Sequence, residues 1–338
     1  MQAPPPASHP PSGGKPCLSI RQVTACPLRL ILIGLALVAT AAFAVVCYGP
    51  PDKRTWEQVT ANFAAREAEI ANDGQYDGRR LKELDSKRGA AFLIPFLSKD
   101  QKYGVRVKAI GALGWASFQE AIPALSAIAL DPSENDPIRG QVLNPGLRYM
   151  KHPEAVKTAS ALANDKSAYI RSGALWVLSN HGTDEAIEVL AARLRANDKP
   201  LLWQLMNALT LSGHPRAGKI VFDLVDFAAV QKDEGQLVAY ATAMAQYHIP
   251  EAQQNMLALA KQPDHLLSEY VLQYFSAFPR EDLVSKLVAH IEADKDVSFL
   301  HTTVTEFIKS PKISPESKAK LSAFISSGKV MRSDEIFR

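Results

Sequence analysis

The chain has 338 residues, 47% of them hydrophobic and 22% charged, with a net charge of only +3. That is enough apolar material for an ample core, and it lacks the dominant basic excess of a nucleic-acid binder. Cys17, Cys26 and Cys47 all lie in the first 50 residues, so neither a disulfide framework nor a cysteine metal site is expected. The cysteine-free remainder is compatible with an oxidising compartment.

Residues 1–29 form a polar leader with Pro4-Pro5-Pro6 and Pro10-Pro11-Ser12-Gly13-Gly14. Such a composition cannot pack and predicts a disordered tail. Residues 30–48 follow, Leu30 to Tyr48, without a single charge. At ~1.5 Å per residue this stretch just crosses a bilayer core of ~30 Å, so it predicts one transmembrane helix contacting the lipid bilayer. Lys15, Arg21 and Arg29 precede it with no acid, which favours a cytoplasmic N-terminus. Lys53 and Arg54 beyond the span pull the other way, beside Asp52 and Glu57. The competing reading is a signal peptide cleaved near Ala44, since Ala42-Phe43-Ala44 has the small-x-small form. Both readings leave the remainder outside the inner membrane, facing the periplasm in a bacterium.

Residues 52–88 predict a helical N-terminal cap. Val59, Phe63 and Ile70 share one face of a helix over 56–70, and Asn72-Asp73-Gly74 and Asp77-Gly78 mark turns. The run Ala90–Leu97 reads as the second helix of an imperfect first unit. Residues 79–108 hold nine bases against three acids. Arg79, Arg80, Lys82, Lys87 and Arg88 are therefore candidates for contact with anionic headgroups or an acidic partner, against a merely solvated cap face. Charges near a leaflet are each worth ~1 kcal/mol.

Residues 89–329 are periodic, and no alternating strand pattern of useful length occurs. Val105-Arg106, Ile138-Arg139 and Ile170-Arg171 are 33 and 32 residues apart. Asp100, Asp131, Asp165 and Asp198 are spaced by 31, 34 and 33. Glu120-Ala121-Ile122, Glu154-Ala155-Val156 and Glu185-Ala186-Ile187 keep nearly the same period. Between Asp165 and Asp198, Ile170, Ala174 and Leu178 make one apolar stripe and Ala186, Ile187, Leu190 and Leu194 a second, separated by a break at 180–183. Two amphipathic helices in a hairpin cannot bury their own apolar faces and must stack on copies of themselves. The pattern predicts an all-α solenoid of about six or seven hairpins. Asn144-Pro145-Gly146 should kink or end its helix. After Asp198 the signal decays, with Leu202-Trp203 expected in the Ile-Arg place and only apolar stripes beyond.

The aspartate, Ile-Arg or Val-Arg, Ala-Leu, the turn Gly or His, and Glu-Ala-Ile together resemble the HEAT-like repeats, in the short form also found in the bilin-lyase type. The resemblance covers roughly residues 89–310. It implies stacked helix pairs and a structural role for the junction Asp and Arg, and it is nearly silent about activity. The tetratricopeptide and ankyrin signatures are absent.

His152, His181, His214 and His248 recur at the turns of successive units. Neighbouring units lie ~10 Å apart, too far for one metal with ligands at ~2 Å. They are expected instead at helix C-termini, where imidazole suits the last carbonyls. The iron hydroxylase built on such repeats uses His-Glu pairs, and no His-Glu dipeptide occurs. No Gly-x-Ser-x-Gly elbow, phosphate loop or His-Glu-x-x-His occurs either. No cofactor, metal or catalytic residue is expected, and the chain reads as a scaffold rather than an enzyme; the alternatives are a platform subunit of an enzyme complex and a structural tether whose basic cap sits on the membrane. Its expected partners are proteins of the cell envelope, bound on a concave face lined by the second helices. Lys157, Glu188, Arg193 and Arg195 are the candidate contacts. Trp115, Trp176 and Trp203 are expected to pack between repeats, and any one left exposed becomes a binding anchor.

Overall fold

A computed structural model describes residues 52–65, 74–196, 199–261, 265–293 and 300–330. The leader at 1–29, the apolar span at 30–48 and Asp198 lie outside the described residues. The chain divides into two compact units, 1–54 and 55–338. In the first, Arg54 pairs with Asp52 at 2.6 Å. Everything below concerns the second. Among the described residues the regular elements are all helical, and no helix is long and apolar enough to cross a membrane.

Helices α1 (Trp56–Ala65) and α2 (Gln75–Leu93) open this unit. The apolar spacing of α1 turns Val59 and Phe63 inward, as expected. Phe63, Phe92 and Phe96 meet with ring centroids 5.3 to 5.8 Å apart, and Trp56 adds its edge to Phe92. This aromatic cluster seals α1 onto α2. Asp85 interrupts α2, with φ −164° and ψ 105°. Its carboxylate accepts the Arg88 N–H at 3.0 Å and so caps the second half of α2. Gly74 and Gly78 lie against α3 (Tyr103–Trp115) so closely that a Cβ on either would overlap the Lys108 or Ala112 backbone. The two helices meet backbone to backbone, which only glycine allows.

Among the described residues, seven helix pairs follow. They are α3 with α4 (Ile122–Leu130), α5 (Asp136–Gln141) with α6 (Pro153–Leu162), and α7 (Ala168–His181) with α8 (Asp184–Arg195). Next, α9 (Leu202–Leu211) pairs with α10 (Ala217–Leu224), and a single turn, α11 (Phe227–Val230), leads on. The last are α12 (Glu234–Tyr247) with α13 (Gln253–Leu259), α14 (His265–Phe275) with α15 (Val284–Ala293), and α16 (His301–Lys309) with α17 (Pro315–Ser326). First helices pack in series from α3 through α5, α7, α9, α12 and α14 to α16. Second helices do the same from α4 through α6 and α8 to α10. Serial packing of this kind is the arrangement an α-solenoid requires.

The α7–α8 pair realises the sequence pattern residue by residue. Ile170, Ala174 and Leu178 are fully buried, as are Ala186, Ile187 and Leu190. Each such Leu or Ile contributes roughly 1.5–3 kcal/mol. Gly182 takes the left-handed conformation at φ +58° and ends α7. Thr183 then caps α8 by accepting the Ala186 N–H at 3.3 Å.

Two details depart from expectation or sharpen it. Helix α5 stops at Gln141 and continues as a wide turn over Val142–Leu147, where Asn144 is non-helical and the Asn144–Pro145 peptide is cis. The interruption expected there is therefore real. Gly114 of α3 fits against it, since a Cβ at that position would meet the Pro145 carbonyl oxygen at 2.6 Å. In α9, the buried residues Leu201, Leu205 and Leu209 repeat Ile170, Ala174 and Leu178 at an interval of 31. Leu202, not Trp203, thus stands in the place of Arg171, one residue off the expected register.

Candidate partner-binding surface

The conserved-looking charges of the repeat are spent inside the joints. Arg106 is buried, donates from Nε to the Leu97 carbonyl at 3.1 Å, and grips Glu134 of the next pair at 2.5 Å. Arg139 repeats the arrangement, to the Ala129 carbonyl at 2.9 Å and to Asp165 at 2.6 Å. Arg171 donates to the Asp165 and Lys166 carbonyls. Arg106 and Arg139 therefore each hold the end of the helix before them and the turn after them, whereas Arg171 holds the turn before it. The Arg106 guanidinium holds the Glu134 carboxyl below its ordinary range. Burial pushes Asp165 up, but the Ser167 N–H and Arg139 outweigh it and leave it lowered.

The repeat pattern leaves Arg106 to pair with Asp100 of its own unit or Asp131 of the next, and the structure gives it Glu134. Asp131 instead takes Lys99 at 2.8 Å and the Ser133 N–H at 2.8 Å. Asp165 likewise accepts the Ser167 N–H at 2.9 Å. In both, the carboxylate folds the Asp-x-Ser turn rather than capping the first helix.

The histidine expectation holds for only half the set. His181 ends α7, and His248 ends α12 with φ +48°. His152 and His214 instead serve the following helix. Their Nδ1 atoms accept the N–H of Glu154 at 3.1 Å and of Arg216 at 3.2 Å. A helix start leaves N–H groups without partners, and an unprotonated ring nitrogen satisfies one. Burial, together with nearby Lys151, pushes the His181 imidazole pKa down. Among the described residues, no group of three His, Cys, Asp or Glu could hold a metal ion.

The cap cations fall into two sets. Arg80 pairs with Glu83 at 3.2 Å. The Lys82 ammonium donates to the Ala116 and Ser117 carbonyls at 2.5 and 3.0 Å, closing the C-terminus of α3. Arg88 lies over the Trp56 ring at 4.1 Å. Two further bases of the 79–108 run, Arg106 and Lys108, are buried; Lys108 pairs with Asp77 at 3.2 Å and donates to the Phe63 carbonyl. Arg79 and Lys87 are exposed, with no partner among the described residues.

All four candidate contacts lie on second helices, and the structure does not bring them to one point. Lys157 is exposed on α6. Glu188 on α8 pairs with Arg216, which precedes α10. Arg193 donates to Asn164 at 2.6 Å. Arg195, at the end of α8, is exposed and lines a cleft of about 640 Å³. The floor of that cleft comes from Leu194, Leu202, Leu224 and Val225, and its rim from Arg195, Asp226, Lys232 and Asp233. The cleft exists because α10 stops at Leu224 and the extra turn α11 intervenes before α12. Sequence reasoning missed it; Leu in place of the junction Arg at 202 was the only signal.

Of the three tryptophans expected between repeats, Trp115 stacks on Tyr149 at 4.5 Å and Trp176 takes the Arg148 guanidinium at 4.9 Å. Trp203 is 46% exposed, and its ring edge lies beside Gly235 at the start of α12.

No curated protein matches this chain. Among solved structures it is similar to an engineered protein from the Northeast Structural Genomics Consortium, at 17% identity and a TM-score of 0.45, covering 86% of this chain and 85% of that one. A second engineered protein from the same consortium is 14% identical, with a TM-score of 0.22, covering 81% of this chain and 98% of that one. Residues 133–210, which hold the α5–α6 and α7–α8 pairs and nearly all of α9, match the family model of HEAT repeats.

Proposed function

We propose that this chain is a membrane-anchored scaffold of HEAT-like hairpins that binds a protein partner in the cell envelope through its second-helix face. The observation that carries the reading is the division of labour within each pair. Junction arginines are consumed by stacking, whereas α6, α8 and α10 keep polar side chains outward, Lys157, Glu188, Lys219 and Asp223 among them. HEAT repeats generally mediate protein–protein interaction, and the match at 133–210 supports that role. The anchor rests on the uncharged stretch 30–48, and Lys15, Arg21 and Arg29 before it favour hairpins on the periplasmic side of an inner membrane. No catalytic role is assigned to any residue.

Photo-crosslinking from the second-helix face of the full chain in native membranes tests the reading. Residues 157 and 188 would carry the crosslinker, with 172 on a first helix as control. A discrete adduct from 157 and 188 but not from 172 is expected. Adducts from the first-helix position alone would overturn it. Cysteine accessibility at 157 from the periplasmic side checks the topology, and labelling only after the inner membrane is opened would reverse it.

A further inference from the structure

The cleft between α8 and α12 differs from the flanking helices α8 and α10 in how its charges are used. The other cations of those two helices and the turn leading into α10 are engaged: Arg216 with Glu188, Lys219 with Asp223, Arg193 with Asn164. In the cleft, the two carboxylates are the ones engaged. Asp226 accepts the Ala228 N–H at 3.0 Å, and Asp233 accepts the Gln236 N–H at 2.9 Å. The two cations, Arg195 and Lys232, are exposed and have no partner among the described residues. Between them lies an apolar floor in which Leu194 and Val225 are buried and Leu202 and Leu224 are half-buried. Trp203 neighbours Leu202 in the sequence, and its exposed ring borders the first turn of α12, where Asp233 and Gln236 line the cleft.

We infer that this cleft is a docking site for an acidic, apolar-bearing peptide segment of a partner protein. A carboxylate on such a segment supplies the missing partner of Arg195 or Lys232. A bulky apolar side chain covers the Leu202–Leu224 floor, and Trp203 gives an aromatic edge of the kind that anchors protein interfaces. Asp226 and Asp233 each already hold a backbone N–H at a helix start, whereas Arg195 and Lys232 have no partner among the described residues, so an acidic ligand gains charge-assisted hydrogen bonds here that a basic one gains less of. A volume of about 640 Å³ suits a few side chains rather than a folded domain. The inference rests on the scaffold reading above and narrows it to one place and one chemistry.

Three fluorescein-labelled octapeptides test it against the full chain in detergent. One alternates Asp or Glu with Leu or Phe, one has Lys in place of every acid, and one has Ser in place of every apolar residue. The acidic-apolar peptide should bind, with both controls at least about tenfold weaker. The R195E/K232E variant, with its helical circular dichroism unchanged, should lose the acidic peptide about tenfold and gain the lysine peptide. Trp203→Ala should weaken the acidic peptide without inverting the charge preference. Equal binding of the acidic and basic peptides, no binding of any, or an unaffected R195E/K232E variant would overturn the inference. If that variant retains the crosslinked adducts from 157 and 188, the scaffold reading survives while the cleft assignment falls.

Discussion

The hairpins before residue 196 and those after 201 solve the same stacking problem with different chemistry. Before 196, the joints are charged and buried: Arg106 with Glu134, Arg139 with Asp165, and Lys108 with Asp77. After 201, the buried joints among the described residues are neutral, and the carboxylate joint of Glu281 to Ser314 and Ser317 is exposed. Tyr247 donates its hydroxyl to the Thr210 carbonyl at 2.9 Å, Gln246 joins the same oxygen at 2.9 Å, and Tyr274 donates to the Ile249 carbonyl at 2.6 Å. Burial pushes the Tyr274 and Tyr247 hydroxyls up, so they stay protonated donors. Charged joints demand both partners at fixed positions, whereas a tyrosine reaching a carbonyl tolerates drift. The first half is therefore strict in sequence, and the second is not.

The sharpest way to break this contrast is to remove one member of a charged joint. Arg139→Ala leaves Asp165 buried without its counter-charge and should cost roughly 3–5 kcal/mol. Hydrogen exchange should show α5, α6 and α7 opening while α12 to α15 keep their protection. Uniform loss along the chain would mean that the two halves are one cooperative unit.

Gly78→Ala comes next. The added methyl overlaps the Ala112 backbone, which cannot step aside as a side chain can. Overpacking should cost about 1–3 kcal/mol, read as a lower denaturant midpoint with faster exchange in α2 and α3. Tyr247→Phe, on the neutral side, removes one hydroxyl donor while Gln246 still serves the Thr210 carbonyl, and should cost about 1 kcal/mol.

Acid sharpens the comparison without mutation. Glu134 and Asp165 have lowered pKa values in the folded chain, so the unfolded chain binds protons more readily. Their contribution is complete above the ordinary carboxylate range and is lost as pH falls through the folded values. His181 is also lowered, so the unfolded imidazole takes its proton first. Its contribution is present above the ordinary histidine value and declines as pH falls below it. Exchange protection of the first half should therefore fall earlier on acidification than that of the second, whose tyrosine joints do not titrate there and whose lowered carboxylates, Glu281 and Asp282, are exposed. Simultaneous loss would count against the division.

Much of this fold was legible because its constraints repeat. Ile170, Ala174, Leu178 and the stripe from Ala186 to Leu194 stand where their spacing put them, and Gly182 and Thr183 end and begin helices as turn chemistry requires. What escaped was whatever depends on a neighbour 30 residues away. Glu134 was hidden because nothing in a single unit tells which of two nearby acids meets Arg106. His152 and His214 were misplaced because one turn contains both the end of a helix and the start of another. The register slip at Leu201 followed from losing the arginine that marks it. The cleft was illegible for a related reason: it is made by a shortfall, the early end of α10, rather than by a motif.

Lys82 and Lys87 lie five residues apart on α2, yet one ammonium is tied to two carbonyls and the other is exposed with no partner among the described residues. Amine-reactive reagents attack free, unprotonated amines, so this pair forms an internal clock for acylation. Lys87 should be modified first while α2 sits on α3, and the two rates should converge once it lifts away. The ratio, read by mass spectrometry on intact cells, would report the seating of the first hairpin without any label being introduced.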